Sequence, residues 1–224
     1  MSTTKPLATL GVSVGDLSFT TGQTHDGSDQ FIQPILLEEI DQALTQIRPL
    51  EAENAHYKTM SILGHGTNLW QARYICSFFD DLLGKRVKMG RSLASFANTA
   101  GRGEGETISD KCDPSIPHKK CYLLYEARLR DGVLSASELM AILSIPASRL
   151  LAEKYRHHRV FPVTLLTASG TKVRVTQGHV DGKRRSVKVY MTRTIDFVEG
   201  HEKNWNEVLT VLSWLLGKPT GITT

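Results

Sequence analysis

The sequence has few cysteines and no long apolar run, and these absences exclude several classes of protein. Three cysteines in 224 residues are too few for a disulfide-stabilised scaffold, and their odd number leaves one unpaired. No stretch approaches the ~18 consecutive apolar residues that a membrane-spanning helix requires. Residues 1–24 contain no basic start followed by an apolar core, so we expect no secretory signal peptide. Because 40% of the residues are hydrophobic, we expect one or two folded domains, located in the cytoplasm or the nucleus.

The sequence also lacks the short motifs that identify common reactions. No Gly-Lys-Ser or Gly-Lys-Thr follows Gly64–Gly66 or Gly101–Gly103, and neither G-x-S-x-G nor H-E-x-x-H occurs. Three residues have a spacing that a zinc site could use: Cys112, His118 and Cys121. Zinc needs four ligands, and the fourth would have to come from elsewhere, such as His157 or His158. We therefore predict no metal site and no cofactor, and we favour a protein that is not an enzyme.

What the sequence does have is an uneven distribution of charge. Residues 1–118 hold 10 Lys or Arg and 14 Asp or Glu, a formal charge of −4. Residues 119–224 hold 17 and 9, a formal charge of +8. Such asymmetry suggests an anionic partner for the basic half, although a charged surface also serves solubility alone. A second possibility is that the acidic half covers the basic half in the free protein.

Hydrophobic periodicity predicts a helical N-terminal part followed by a linker. Residues 1–30 are rich in Ser, Thr, Gly and Asp and are predicted to be a flexible arm, although Val12 and Val14 alternate as in a strand. Apolar residues at spacings of three and four make residues 31–99 a helical region. Its predicted helices are Phe31–Arg48, Thr67–Gly84 and Ser92–Thr99. Closely spaced glycines and two prolines make residues 100–118 the predicted linker.

In the basic half, residues 119–224, the sequence predicts three helices, then three strands, then a last helix. The predicted helices are Cys121–Arg130, Ala136–Leu143, Pro146–His157 and Trp205–Leu216, and Ser135 and Glu138 have the spacing of a capping box. The predicted strands are Val160–Thr167, Lys172–Thr176 and Ser186–Arg193. Their alternation predicts that Lys172, Arg174 and Tyr190 face outward. The predicted fold class is α+β: a helical N-terminal part, then a unit of three helices, an antiparallel three-strand meander and a C-terminal helix.

The order of three helices and a hairpin over residues 121–176 resembles a winged helix-turn-helix. The string LSASELMAILSIPASRLLAEKYRHH resembles its helix-turn-helix, and Ser169–Lys172 would be its wing. The resemblance implies that cations of the reading helix and the wing contact a nucleic acid or another partner. Together with a basic tripeptide after the Asp181-Gly182 turn, the candidate nucleic-acid- or partner-binding residues are Ser148, Arg149, Lys154, Arg156, Lys172, Arg174, Lys183, Arg184 and Arg185.

Four strings over about Ala127–Gly221 resemble an uncharacterised family of filamentous-fungal (ascomycete) proteins. They are ARLRDGVLSASEL, HRVFPVTLLTASGTKVRV, QGHVDGK and LSWLLGKPTG. This resemblance implies a cytoplasmic or nuclear setting and a weak link to secondary metabolism, and it implies no catalytic residue.

Two functions of different classes remain open at this point. The first is a non-enzymatic binding or regulatory protein whose basic half contacts a protein or a nucleic acid. The alternative is a small enzyme or accessory factor of fungal metabolism, with a pocket between the sheet and the helices and with His179, Gln177 or Tyr190 at its rim. A binding protein needs its cations on one face, whereas an enzyme needs a concave pocket with convergent polar groups. A self-associating structural protein is a third possibility.

Overall fold

The core of the molecule is a mixed β-sheet. The computed structural model describes residues 11–28, 30–40, 66–86, 93–98, 103–108, 115–181 and 186–224, together with Leu7 and Thr9. The strands are β1 Val12–Asp16, β2 Ile32–Gln33, β3 Leu93–Asn98, β4 Gly103–Ile108, β5 Lys119–Tyr125, β6 Val160–Ser169, β7 Lys172–Asp181, β8 Ser186–Met191, β9 Ile195–Asp196 and β10 Lys218–Pro219. Within the described ranges one sheet has the order β1-β8-β7-β6-β5-β4-β3, with β9 paired to β7, and β2 pairs separately with β10.

In the described part of the chain, three helices cover the two faces of this sheet. They are α1 Asn68–Arg86, α2 Ala136–Leu150 and α3 Trp205–Leu216. Helix α2 connects β5 to β6, which lie parallel, as such a crossover connection requires. Strands β6, β7 and β8 follow one another as antiparallel neighbours. The fold is therefore α+β with a core that is mostly sheet. No helix within the described ranges is long and apolar enough to cross a membrane.

Both faces of the central strands are buried. Cys121 of β5 shares a buried apolar cluster with Ile142 of α2, whereas the next residue, Tyr122, belongs to the cluster formed with α1 and α3. Successive residues of a strand point to opposite faces, so α2 covers one face of the sheet and the other two helices cover the opposite face. A Cβ on Gly178 of β7 would lie 2.7 Å from Cγ2 of Ile142. The missing side chain at that position lets α2 lie close to the sheet.

The structure confirms the predicted strand meander and two of the predicted helices. Strands β6, β7 and β8 lie where alternation predicted them, α1 corresponds to the predicted helix Thr67–Gly84, and α3 has the predicted bounds Trp205–Leu216. The capping box is also confirmed. The Ser135 hydroxyl accepts a hydrogen bond from the Glu138 amide at 3.2 Å, and the Glu138 carboxylate accepts one from the Ser135 amide at 2.9 Å. These features depend on local periodicity and local hydrogen bonds, which the sequence displays directly.

The helices predicted between residues 121 and 157 are partly wrong. The predicted helix Cys121–Arg130 is strand β5 followed by a loop, because an apolar run buried on both faces of a sheet has no strand periodicity to reveal it. The predicted helices Ala136–Leu143 and Pro146–His157 form one helix, α2, which contains Pro146 and ends at Leu150. The element order that suggested a winged helix-turn-helix therefore differs from the observed one. The resemblance itself is not tested by any comparison and stays a prediction.

The N-terminal half contributes strands where other structure was predicted. Strand β1, within the predicted flexible arm 1–30, pairs in parallel with β8. Strand β3 replaces the predicted helix Ser92–Thr99, and β4, within the predicted linker 100–118, pairs with both β3 and β5. The predicted helix Phe31–Arg48 is helical at residues 37–40 and begins with strand β2 instead, while its residues 41–48 lie outside the described part of the chain. Pairing with distant strands overrides local propensity here. The division into domains stays a prediction.

The alternation of β7 and β8 gave the wrong exposure for two side chains. Arg174 is 1% exposed and Tyr190 is 4% exposed, although both were predicted to face outward. Alternation indicates a solvated face only where nothing covers that face. Here α2 covers the face that carries Arg174, and the Tyr190 hydroxyl donates a hydrogen bond to Asp26 at 3.0 Å.

A buried ion pair joins the start of α2 to the sheet. The Arg174 guanidinium donates from Nε to Glu138 Oε1 at 2.8 Å, and its Nη2 contacts the other carboxylate oxygen. The hydroxyls of Thr167 and Thr176 also donate to Oε1, at 2.9 and 3.0 Å. Burial by itself raises the pKa of Glu138, but the hydrogen bonds and charge of Arg174, with the bonds from Ser135, hold that pKa below its usual value. The pair is therefore ionised and well satisfied.

Replacing Arg174 by Met leaves an uncompensated carboxylate in the interior. We expect Arg174→Met to lower the free energy of unfolding, measured by urea denaturation, by about 3–5 kcal/mol. Adding Glu138→Leu removes the stranded charge and is expected to recover part of that loss. The control is Arg193→Met, at a side chain that is 59% exposed, for which we expect a change within about 0.5 kcal/mol. An Arg174→Met protein within about 1 kcal/mol of the parent would contradict this account.

Candidate partner-binding surface

The C-terminal end of α2 presents a group of cations held in place by one aromatic ring. The helix ends at Leu150, because Ala152 adopts an extended backbone and a short 3₁₀ turn, Glu153–Tyr155, follows. The ring of Tyr155 is buried. The guanidinium carbon of Arg149 lies 4.7 Å from the ring centroid, and Lys154 Nζ lies 5.1 Å from it. Cation–π contacts of this kind restrict long side chains that would otherwise be free to rotate.

Three segments that are distant in sequence meet at this end of the molecule. Arg149 Nη1 donates a hydrogen bond to the Pro117 carbonyl at 3.0 Å, which ties α2 to the segment before β5. The ring of His118 bonds the Thr220 carbonyl at 2.7 Å. The Arg159 amide donates to the Thr223 carbonyl at 2.7 Å. Residues 115–118, 148–159 and 220–224 therefore form one continuous surface, which we call the tail surface.

The tail surface combines exposed apolar side chains with positive charge. The described residues include eight exposed large apolar side chains, and four of them lie here. These four are Ile116, Leu150, Leu151 and Ile222. Leu151 is 88% exposed. The charged residues of the same segments are four cations and one anion: Arg149, Glu153, Lys154, Arg156 and Arg159. An exposed apolar patch rimmed by polar residues is typical of an interaction site.

The structure brings together four of the predicted site residues. Ser148, Arg149, Lys154 and Arg156 all lie on the tail surface, where the Ser148 hydroxyl donates to the Ile145 carbonyl at 2.8 Å. The guanidinium of Arg156 lies 3.7 Å from the Glu153 carboxylate, and both side chains are largely exposed. The proximity of these four residues does not test their predicted contacts with a nucleic acid or another partner, which stay predictions.

Two other predicted site residues, Lys172 and Arg174, lie away from this surface. Lys172 begins β7 and pairs with Ser169 at the far end of β6, about 30 Å from the tail surface along that ten-residue strand. Its ammonium group pairs with Asp196 at 3.7 Å. Arg174 is buried beneath α2, so its guanidinium is enclosed by the protein. The remaining three, Lys183, Arg184 and Arg185, lie outside the described residues.

Sequence reasoning missed the apolar part of the surface. Leu150 and Leu151 belong to the predicted helix Pro146–His157, but the observed helix ends at Leu150 and both side chains are exposed. The signal that the sequence offers is an apolar pair between Arg149 and Lys154. Ile116 and Ile222 carry no such signal, because only the contacts of Pro117 with Arg149 and of Thr223 with Arg159 bring their segments to this end of the molecule.

A buried histidine lies beneath the tail surface. The Thr220 carbonyl can only accept a hydrogen bond, so His118 donates from Nε2, and its Nδ1 is buried without a hydrogen-bond partner among the described residues. Burial lowers the pKa of His118, and the nearby charges of His158, Lys120 and Arg149 lower it further, against the opposing effect of the Thr220 bond. His118 is therefore neutral in the folded protein at neutral pH.

The described residues that were considered for zinc belong to no metal-binding group. Burial raises the pKa of Cys121 to about 12, so this side chain is a thiol at neutral pH, and it packs on the α2 face of the sheet. Cys112 lies outside the described residues. Within those residues no group of three or more His, Cys, Asp or Glu side chains is placed to hold a metal ion.

The side chains predicted at an enzyme pocket are buried. His179, Gln177 and Tyr190 are each less than 9% exposed. His179 packs against Phe31, with 4.7 Å between ring centroids, and the Gln177 carboxamide oxygen accepts from the Phe31 amide at 3.4 Å. The enzyme alternative stays a prediction without a described pocket at these residues.

Comparison with known proteins adds no homologue. No family model, no curated protein and no solved structure matches the chain. The resemblances to a fungal family and to a winged helix-turn-helix are therefore not tested and stay predictions.

The neutral state of His118 predicts a dependence of stability on pH. An unfolded histidine binds a proton as the pH falls below its ordinary pKa of 6.5, whereas buried His118 takes it up only at lower pH. We therefore expect the free energy of unfolding to fall as the pH decreases below 6.5, with this residue contributing at most about 1.4 kcal/mol per pH unit. Urea denaturation between pH 7.5 and pH 5 (about 0.5-unit steps) measures the slope. His118→Gln is expected to flatten this slope, because glutamine takes up no proton in this range. Equal slopes for the parent and for His118→Gln would contradict the conclusion that His118 is neutral in the folded protein.

Proposed function

We propose that the chain is a non-enzymatic binding protein whose tail surface docks a protein segment that carries both acidic and apolar side chains. The observation that carries this proposal is the coincidence, in three short segments, of half of the described exposed large apolar side chains with four cations and one anion. The setting that the proposal assumes is the cytoplasm or the nucleus.

The apolar side chains and the cations of the tail surface contribute differently to such a complex. Burying an exposed leucine in an interface removes apolar area from water and stabilises the complex by about 1.5–3 kcal/mol per fully buried side chain. The cations add specificity and speed association with an acidic partner. Arg149 and Lys154 are already positioned against the ring of Tyr155, so less side-chain entropy is lost when the partner binds.

The composition favours a protein partner over a nucleic acid. Nucleic-acid interfaces are polar and strongly basic, and phosphate groups make no use of an exposed Leu151 or Ile222. The Glu153 carboxylate, 3.7 Å from Arg156, would also face the phosphates. Furthermore, Lys172 lies at the other end of the sheet and Arg174 is buried, so the described cations do not follow one groove.

A selection experiment tests this proposal on the whole chain. Random peptides displayed on phage are selected against the immobilised protein, and we expect enrichment of peptides that combine Asp or Glu with Leu, Ile, Phe or Trp. Fluorescence anisotropy then measures the affinity of the most enriched synthetic peptide. Lys154→Glu with Arg156→Glu is expected to weaken binding by about tenfold or more, since two attractive cations are replaced by carboxylates that repel the acidic peptide. Leu151→Ser is expected to weaken it independently of salt.

A matched pair of charge reversals provides the control. Arg193→Glu with Lys203→Glu changes the net charge equally, at two exposed side chains outside the tail surface, and is expected to leave the affinity unchanged. Equal weakening by both pairs, or the absence of enriched acidic peptides, would overturn the proposal. Binding of random-sequence duplex DNA that falls steeply with salt, and that is lost in Lys154→Glu with Arg156→Glu, would replace it with a nucleic-acid function.

A further inference from the structure

The end of the molecule opposite the tail surface carries two adjacent pockets. Strands β5 and β6 run parallel and end at Tyr125 and Ser169, and the starts of α1 and α2 lie at the same end of the sheet. Loop residues 126–135 lead from β5 to α2. One pocket, of about 380 Å³, is lined by Tyr125, Ala127, Arg128, Leu129, Arg130, Val133, Ser135 and Arg174. The other, of about 310 Å³, is lined by Asn68, Gln71, Arg128, Leu129, Ser169, Gly170, Thr171 and Lys172.

The charge of the lining residues is all of one sign. The ionised side chains that line the two pockets are Arg128, Arg130, Lys172 and Arg174, and neither lining contains an aspartate or a glutamate. Arg174 is neutralised from behind by Glu138, which lines neither pocket. Lys172 pairs with Asp196 at 3.7 Å, so Arg128 and Arg130 are the lining cations without a described ion-pair partner, in a chain that has 27 basic and 23 acidic residues overall. Concave sites with a single sign of charge concentrate ions of the opposite sign.

The loop that carries the two arginines is held rigidly. Its carbonyl groups accept hydrogen bonds from fixed donors: Asn68 to Glu126 at 2.9 Å, Ser169 to Ala127 at 2.7 Å, and Arg174 to Arg130 at 2.9 Å and to Val133 at 2.8 Å. The Asp131 carboxylate accepts from the Thr194 amide at 2.8 Å, and bonds to Thr194 hold the pKa of Asp131 below its usual value. Because the backbone is engaged inward, Arg128 and Arg130 stand on a preorganised support.

The two arginine side chains themselves remain available. No described residue forms an ion pair or a hydrogen bond with the guanidinium group of Arg128 or of Arg130, and both side chains are exposed. Arg128 lines both pockets, so a ligand whose anionic group binds its guanidinium could extend into either pocket. Planar guanidinium groups bind phosphate oxygens through two parallel hydrogen bonds, which gives both strength and orientation.

We infer that this end of the sheet is a binding site for the phosphoryl group of a small molecule, with Arg128 as the central contact and Arg130 and Lys172 as supporting cations. The pocket on the α1 side is also lined by the polar residues Asn68 and Gln71. The pocket on the α2 side offers Leu129, Val133 and the ring of Tyr125 to a less polar one. Each volume lies at the lower end of the range of about 300–1,000 Å³ that is usual for ligand sites.

Titration of the whole chain with three probes tests this inference. Inorganic phosphate, adenosine 5′-monophosphate and adenosine are added separately, and amide chemical shifts are followed by NMR. We expect phosphate and the monophosphate to shift amides in residues 126–135 and 169–172, and adenosine to shift none of them. Tighter binding of the monophosphate indicates an organic phosphate as the ligand, and equal affinities indicate free phosphate. Both results support a phosphoryl site.

Matched arginine variants locate the contact. Arg128→Gln is expected to weaken binding of the anionic probes by about tenfold or more, and Arg128→Lys to retain part of the affinity, because it keeps the charge but not the planar fork. Arg193→Gln removes an equally exposed arginine elsewhere and is expected to leave the affinity unchanged. The inference would be overturned if neither anionic probe shifted these amides at about 10 mM, a weak affinity by any standard. It would also be overturned if Arg128→Gln and Arg193→Gln bound equally well, or if adenosine bound as tightly as its monophosphate.

Discussion

The ion pair between Glu138 and Arg174 is the interaction on which both ends of the molecule depend. Its carboxylate belongs to the first turn of α2, and its guanidinium belongs to the central strand β7. Glu138 accepts hydrogen bonds from the sheet hydroxyls of Thr167 and Thr176, while Arg174 also donates to two carbonyls of the loop before α2. A buried pair stabilises a fold only when its remaining hydrogen-bonding groups are satisfied in this way. One contact thus fixes the helix, the strand and the loop together.

Helix α2 connects the two candidate sites because it starts beside one and ends beside the other. At its start, the Glu138–Arg174 pair and the capping box with Ser135 fix the helix axis over the sheet. Along its length, Gly178 allows Ile142 to lie directly against β7. At its end, Arg149 reaches Pro117 and Tyr155. Cations of the C-terminal half therefore lie at both ends of one crossover unit, Arg128 and Arg130 near its start and Arg149 and Lys154 near its end.

Two of the wrong sequence predictions, for β5 and for Arg174, share one physical cause, which is the covering of both faces of the sheet. Strand β5 was predicted as a helix because consecutive apolar residues, such as Tyr122 and Leu123, lack alternation when both faces are buried. Arg174 was predicted to face solvent because alternation with Val173 indicates a half-exposed strand, and α2 covers that face instead. Strands β1, β3 and β4 are defined by partners far along the chain, which no local pattern reveals.

The sequence by itself determined the parts of this protein whose stabilising contacts are local: the capping box at Ser135, the meander β6-β7-β8, and the helix Trp205–Leu216. It also determined that the positive charge lies in the C-terminal half, since charge follows from composition alone. The exposure of each cation, the surface that it shares with others and its pairing inside the protein, such as that of Arg174 with Glu138, depend on the tertiary structure alone. That structure alone placed Pro117 beside Arg149, Thr223 beside Arg159, and Asn68 beside Gly170. These neighbourhoods arise because hydrophobic burial closes long loops, and the partners that meet are specified by packing rather than by spacing along the chain.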